Sequence, residues 1–246
     1  WDFYTGKSIN YRSDVYPHSV RVPNGNAKLG VCSSGIGHAS AQPNDCFVGA
    51  RIPCSAYRLS FKPVCGGPQK WGWLTAEVLE EITDLDALFG WSYREAVNPV
   101  HPFRIERPIV VADAERQLVE SWASVGDSVW DSVGDSVGNS VGNSAWDSVR
   151  ASVGDSVWPA VRDSVGDSVW ASVRDSVGVA GWDSVWDAVG AYLGSLLVGI
   201  VPGWGEAYPY ESAVLLWRAG LVPSFDGKLW RLHGGSVGDI LWEGKL

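Results

Sequence analysis

The most constraining feature of this 246-residue chain is a repeat of four residues that runs from residue 123 to residue 194. Each tetrad usually begins with Asp, continues with Ser or Ala, has Val in third place and ends with Gly, Trp or Arg. A second period of twelve residues is superimposed, because the fourth position runs through Trp, Arg and Gly before it returns to Trp. Such an internal period decides the architecture of a chain, so it is interpreted before any single motif.

Three tetrads make one unit of twelve residues, and this period predicts a narrow β-solenoid with three short sides per coil. Val favours extended structure, Gly suits corners, and Pro159 is tolerated at a corner but costly inside a helix. The predicted fold class is therefore α+β with a central β-solenoid of twelve-residue coils, capped at both ends. Equivalent residues would then stack into a tryptophan column and an arginine column, formed by Trp146, Trp158, Trp170, Trp182 and by Arg150, Arg162, Arg174.

A helical repeat is the alternative interpretation. The second and third positions of the tetrad are both restricted, and a helix places positions i, i+1, i+4 and i+5 on one face. One argument against a helix is that four residues exceed one helical turn, so the restricted face would rotate by ~40° with each tetrad. Asp, Ser, Val and Gly are also poor helix formers. The solenoid is therefore preferred, and whether Ser or Val faces its interior is left open.

The composition divides the chain into three predicted domains: an α+β head over 1–122, the repeat over 123–194, and a C-terminal cap over 195–246. In the head we expect strands over 57–61 and 77–82 and helices over 84–91 and 113–122. In the cap we expect a helix over 212–219 that ends at Gly220, followed by a β-meander over 229–233 and 239–243. The Asp226-Gly227 pair predicts the turn that opens this meander.

The charge is concentrated in the repeat, where residues 123–190 carry ten Asp and three Arg, which is −7 of the formal net charge of −9. This acidic surface disfavours a nucleic-acid partner. No run of eighteen apolar residues occurs, so a transmembrane segment is not expected. No signal peptide is recognised, and the first residue, Trp1, is not expected to be the product of a start codon.

Several long strings are similar to a group of uncharacterised proteins encoded by phages and found in environmental sequences. They are the DSVW and DSVR tetrads, HASAQPNDCFVGARIPCSAYR, EEITDLDALFGWSYREAVNPVHPF and the closing LLWRAGLVPSFDGKLWRLHGG, which contains the pattern LWRxGLVPSFDGxxWRLH. The resemblance covers nearly the whole chain. It implies a viral origin and a location in the host cytoplasm or the virion, and it implies no activity and no catalytic residues.

The head contains the only candidate chemistry. His38 lies in a glycine-rich run near Ser40 and Asp45, which suggests acid–base catalysis. A small α+β domain with such a Gly-His loop also loosely resembles ADP-ribosyl-transfer folds. A turn with a hydrogen-bonded His is the simpler interpretation. His233 is expected on a strand with a structural role. The four cysteines lie 14, 8 and 11 residues apart without a CxxC pair, so neither a metal site nor a cofactor is expected.

The predicted function is that of a structural or interaction protein, which uses a regular repeat face for self-assembly or for binding another protein. A row of exposed tryptophans would be an aggregation hazard unless a partner covered it, and Arg can stack on Trp by a cation–π contact. Two alternatives stay open: an enzyme with its site near His38, and a glycan-binding module that uses the tryptophan column. A membrane partner is not expected.

Overall fold

The structure is a computed structural model that describes residues 19–125, 153, 157–178, 181–200 and 208–246. The first of these ranges has gaps at 23–24, 27, 29, 31–34, 48–51, 68–69 and 106–109. The chain divides into two compact units. One is formed by Trp1–Gly90 with Val141–Ser156, and the other by Trp91–Ser140 with Val157–Leu246.

The first unit contains two antiparallel sheets of three strands each among its described residues. One sheet has the order β1-β6-β3, with β1 at Ser19–Arg21, β3 at Ala56–Phe61 and β6 at Thr75–Ile82. The other has the order β2-β5-β4, with β2 at Gly37–Ala39, β4 at Cys65–Gly67 and β5 at Lys70–Trp73. The strands predicted over 57–61 and 77–82 are confirmed by β3 and β6. A cluster of Val22, Trp73, Ala76 and Val78 forms the core around them.

A short helix, α1 at Leu85–Phe89, follows the first sheet and confirms the helix predicted over 84–91. Asp84 caps its start by accepting a hydrogen bond from the Ala87 N–H at 3.3 Å. Gly90 ends it with a φ of 74°, a left-handed conformation that glycine adopts without strain. The ring of Phe89 then packs edge-on against Phe47 of the 3₁₀ turn Pro43–Phe47, with centroids 5.0 Å apart.

The second unit is built from helices with one antiparallel sheet. Its described helices are α2 at Tyr93–Val97, α3 at Asp113–Ala123, α4 at Asp167–Val177, α5 at Trp182–Leu196 and α6 at Glu211–Arg218. Its sheet has the order β7-β8-β9, with β7 at Val222–Phe225, β8 at Trp230–Gly234 and β9 at Asp239–Gly244. The helices predicted over 113–122 and 212–219 and the predicted meander are therefore confirmed.

The predicted β-solenoid is wrong. Residues 157–161, a π-helical segment at Arg162–Gly166 (the π segment) and α4 form one uninterrupted helix, and α5 continues the repeat as a second helix. The described tetrads therefore follow the helical alternative. Intrinsic propensity argued for extended structure, but burial of one valine per tetrad against the rest of the unit outweighs it, since tertiary packing supplies most of the stability of a helix.

The valines of the long helix form one buried row: Val157, Val161, Val165, Val169, Val173 and Val177 are at most 6% exposed. A spacing of four residues would rotate this row by about 200° over five tetrads, which puts its two ends on opposite sides of a straight α-helix. The π segment amounts to one extra residue and removes about 100° of that rotation. The remaining rotation, about 100°, equals the width of one buried stripe. The π segment thus keeps all six valines in the core.

Two serines of α4 satisfy their hydroxyl groups on the helix itself. Ser172 donates to the carbonyl of Ser168 at 3.0 Å, and Ser176 donates to the carbonyl of Val173 at 2.8 Å. This back-bonding is a known alternative to solvation for a serine inside a helix. At these two positions a small hydroxyl residue therefore needs no partner outside the helix.

Gly166 explains why the fourth position of the tetrad tolerates glycine in a helix. A Cβ at this position would lie 3.0 Å from the ring of Trp186 and 3.2 Å from Val189. The absence of a side chain therefore lets the π segment approach α5 closely. The glycines of the repeat were predicted to form corners of a coil, whereas this one serves helix–helix contact.

The helix α5 lies at the centre of the second unit, with ten of its fifteen residues buried. Tyr192 stacks on Trp217 of α6 with ring centroids 5.0 Å apart, and its hydroxyl accepts a hydrogen bond from Val100 N–H at 2.7 Å. The same hydroxyl donates to Glu95 at 3.0 Å, and Arg218 holds both oxygens of that carboxylate at 3.1 Å. Burial is the main reason that the pKa of Tyr192 lies far above its usual value.

The sheet packs on α3 and α6 through a cluster of Val119, Leu216, Leu221 and Leu232. Its first turn confirms the predicted Asp-Gly hairpin, because Gly227 has a φ of +86° and Asp226 accepts from the N–H groups of Lys228 and Leu229 at 2.9 Å.

Within the part of the chain that the structure describes, no helix is both long enough and apolar enough to cross a membrane.

Replacing Gly166 by leucine tests the close approach of the π segment to α5. We expect Gly166→Leu to lower the free energy of unfolding by ~1–3 kcal/mol, since the added atoms must displace Trp186 and Val189. Urea denaturation measures this change. The control Asp163→Leu places the same side chain on the exposed face of the π segment and should change stability by less than ~0.5 kcal/mol. Equal stability of the two variants would contradict the packing described here.

Candidate functional site

Three repeat tryptophans form one aromatic cluster where the polypeptide turns from α4 into α5. The ring of Trp170 meets Trp182 nearly at right angles, with centroids 4.5 Å apart, and Trp182 lies 5.5 Å from Trp186. Trp170 belongs to α4, while Trp182 and Trp186 belong to the first turns of α5. These three residues are called the tryptophan cluster. It forms because the two helices of the hairpin run back along each other, which brings residues twelve apart into contact.

The three tryptophans of the cluster differ in their exposure to solvent. Trp186 is 8% exposed and packs against the π segment, Trp170 is half-buried, and Trp182 is 43% exposed. The guanidinium of Arg162 lies 5.9 Å from the centroid of the Trp186 ring, within the range of a cation–π contact. The Arg162 side chain is itself 53% exposed and lies 3.8 Å from a carboxylate oxygen of Asp167. The cluster therefore presents one indole and one cation to solvent on a preformed support.

The predicted columns of tryptophan and arginine are replaced by this local arrangement. Trp158 and Arg162 stand four residues apart on the long helix, as do Trp170 and Arg174, so each pair shares one helix face. Arg174 is exposed and pairs with the neighbouring Asp175 at 3.5 Å. Two predicted members, Trp146 and Arg150, lie outside the described residues. What was expected as a ladder along a solenoid is thus an aromatic cluster at a helical hairpin.

The structure places His38 on β2, where it pairs with Gly72 of β5. Burial, with a smaller contribution from Lys70, lowers the pKa of His38 below its ordinary value, so its imidazole is neutral near pH 7. Asp45 lies in the 3₁₀ turn that follows, and burial raises the pKa of its carboxyl group. A neutral imidazole on a half-buried strand has the protonation state of a general base.

The cysteines and acidic residues of the first unit form no metal site among the described residues. Cys46 and Cys65 are unbridged thiols, while Cys32 lies outside the described residues. Glu80 on β6 pairs with Arg58 on β3 at 2.6 Å. Over the described ranges, no group of three or more His, Cys, Asp or Glu side chains is arranged to hold a metal ion.

A serine–histidine pair in the C-terminal sheet was not predicted from the sequence. The Nδ1–H of His233 donates to the carbonyl of Gly238 at 3.2 Å, so its Nε2 accepts from the Ser224 hydroxyl at 2.8 Å. This is the arrangement of a nucleophile and its base, but both side chains are fully buried. A substrate has no access to a fully buried hydroxyl, and the structural role expected for His233 fits this geometry. Only the pairing of β7 with β8 brings the two residues together, so no local motif could have revealed it.

A second buried histidine ties the repeat helix to the preceding loop. The Nδ1 of His101 accepts a hydrogen bond from Phe103 N–H at 3.2 Å, so the proton of the neutral ring is on Nε2, which donates to Ser168 of α4 at 3.0 Å. Burial, and to a smaller extent Arg104, lowers the pKa of His101. The contact anchors the 3₁₀ turn Pro102–Arg104 to a serine of the repeat.

The buried His233 predicts a loss of stability in mild acid. Burial lowers its pKa below 6.5 in the folded chain, so its contribution to folding is complete above about pH 6.5 and is lost progressively as the pH falls. We expect His233→Gln to have a lower free energy of unfolding than the wild type near pH 8, and we expect this difference to become smaller towards about pH 5. Urea denaturation across this pH range measures the difference. Ser224→Ala, which keeps the imidazole, should retain the wild-type pH dependence; a difference for His233→Gln that stays constant with pH would contradict the prediction.

A scan of the chain against protein-family models, a search of curated proteins and a search of solved structures each gave no match. Function therefore has to be inferred from the geometry of the described residues.

Proposed function

We propose that this protein is a non-enzymatic interaction protein that associates with further copies of itself through the tryptophan cluster. The observation that carries the proposal is the exposure of Trp182, which is 43% accessible although its ring already packs on two other indoles. A large aromatic side chain in this position costs free energy in water unless a partner covers it.

The composition of the cluster suits a protein partner. Tryptophan and arginine are the residues that most often dominate the energy of protein–protein interfaces. The indole of Trp182 is already held by Trp170 and Trp186, so little side-chain entropy remains to be lost on binding. The cluster thus combines an apolar side chain for burial with a fixed geometry. Both features favour binding even when the buried area is small.

A second copy of the chain is the partner that the charges favour. The surface around the cluster carries both signs, with Arg162 and Arg174 on the long helix and Asp183 and Asp187 on the first turns of α5. A patch that contains both cations and carboxylates allows opposite charges to face each other across a two-fold axis.

A phage origin, with assembly in the host cytoplasm or the virion, is also part of the proposal. This origin rests on the resemblance of the motif strings.

Glycan binding is the second candidate function for the same residues. The exposed indole of Trp182 lies beside Asp183, and a flat apolar ring next to a hydrogen-bonding carboxylate suits a sugar ring. The enzyme alternative uses the neutral imidazole of His38 and does not involve the cluster.

Replacing Trp182 tests the proposed association. We expect Trp182→Ser to weaken self-association by roughly tenfold or more, as loss of a central interface residue does. Sedimentation velocity over a concentration series measures the change. The matched control Leu215→Ser removes a side chain of nearly equal exposure, 44%, from α6 and should leave association unchanged.

Self-association of Trp182→Ser that is as strong as that of the wild type would contradict the proposal, as would a wild-type protein that stays monomeric at the highest concentration. A glycan-array signal that the wild type gives and Trp182→Ser loses would assign the cluster to sugars instead. Loss of a turnover in His38→Ala, with the fold intact, would favour the enzyme alternative.

A further inference from the structure

The outer edge of β9 is the most apolar exposed stretch in the described part of the chain. In the described part of the chain ten large hydrophobic side chains are exposed, and four of them lie within the last ten residues. They are Val237 at 61%, Ile240 at 42%, Leu241 at 39% and Leu246 at 52%. An edge strand presents unpaired backbone groups, so apolar side chains beside such an edge make it a template for another strand.

The two edges of the sheet differ in how they are protected. The strand β7 contains Pro223, its first three residues are buried, and it packs against α5 and α6. The strand β9 contains no proline, and four of the ten residues from 237 to 246 are exposed and apolar. Among the described residues, the backbone hydrogen bonds of β9 all join it to β8. Of the two edges of this sheet, the β9 edge is therefore the one that the described part of the chain leaves open for pairing.

We propose that β9 pairs antiparallel with β9 of a second copy, which joins two three-stranded sheets into one sheet of six strands across a two-fold axis. Pairing centred on Trp242 sets Asp239 of each strand opposite Lys245 of the other, so two pairs of opposite charge form. A parallel arrangement in the same register would set Asp239 against Asp239 and Glu243 against Glu243, which is unfavourable. The charges of this strand thus select a second copy and its direction.

The proposed contact continues the existing core. Trp242 already packs against the cluster of Val119, Leu216, Leu221 and Leu232. A two-fold axis at Trp242 places the two indoles side by side, and aromatic cross-strand pairs are among the more favourable in sheets. The pairing also buries part of the exposed apolar surface of Ile240 and Leu241.

A bulge in β9 keeps the contact short, and the opposite edge of the sheet limits it to two copies. The pairing of β8 with β9 skips Leu241, since Leu232 faces Trp242 and the next residue, His233, faces Ile240. Such a bulge increases the twist of an edge and keeps the paired stretch short. Because β7 closes the other side of the sheet, the six-stranded sheet cannot extend further.

Charge exchange between positions 239 and 245 tests the proposal. We expect Asp239→Lys and Lys245→Asp each to raise the dissociation constant of the β9 dimer by roughly tenfold or more, because each variant sets like charges opposite each other twice. A mixture of the two variants should associate again, since every facing pair then has opposite signs. Sedimentation velocity of the separate and mixed full-length variants measures this, and circular dichroism confirms their fold.

The control Lys228→Asp reverses a charge in the turn between β7 and β8 and should leave the dimer intact. Failure of either single variant to weaken the dimer, or failure of the mixture to restore it, overturns the proposal. The β9 contact does not depend on the tryptophan cluster, so it should persist in Trp182→Ser. Association that Trp182→Ser abolishes and that the charge variants leave unchanged would support the cluster and reject the β9 contact.

Discussion

The second unit depends on one geometric conflict, the mismatch between valines spaced four residues apart and a helix that turns every 3.6 residues. A row of six such valines cannot stay on one side of a straight α-helix. The π segment resolves the conflict in the middle of the row, and every valine from Val157 to Val177 remains buried. An irregularity that would otherwise cost stability is thus the condition under which the repeat packs as a helix.

The same solution determines where the tryptophans lie. The π segment brings Gly166 against Trp186 and Val189, which sets the distance between the long helix and α5. That distance places Trp170 and Trp182 in ring contact and Arg162 over Trp186. The tryptophan cluster is therefore a consequence of helix packing, and the exposed indole is held by residues whose positions the valine row decides.

Much of the local structure could be predicted from the residues. The helix that becomes α1, the helix that becomes α3 and the Asp226-Gly227 turn each depend on interactions within a few residues, and each was confirmed. The β-solenoid prediction was wrong because residue propensity and repeat period both describe only local sequence. A twelve-residue order of Trp, Arg and Gly suits a three-sided coil. A buried helical face at four-residue spacing requires a π turn, and no residue type indicates where a π turn occurs.

Local sequence is enough to establish the tetrad, the valine in most tetrads, the small residues around it and the acidic charge of the repeat. It also determined the turn and strands of the C-terminal sheet, because turn chemistry acts over two to four residues. Long-range packing makes the described tetrads helical and brings Ser224 to His233. Those outcomes depend on contacts between residues far apart in the chain, whose energy of burial exceeds the local preferences of Val, Ser and Gly.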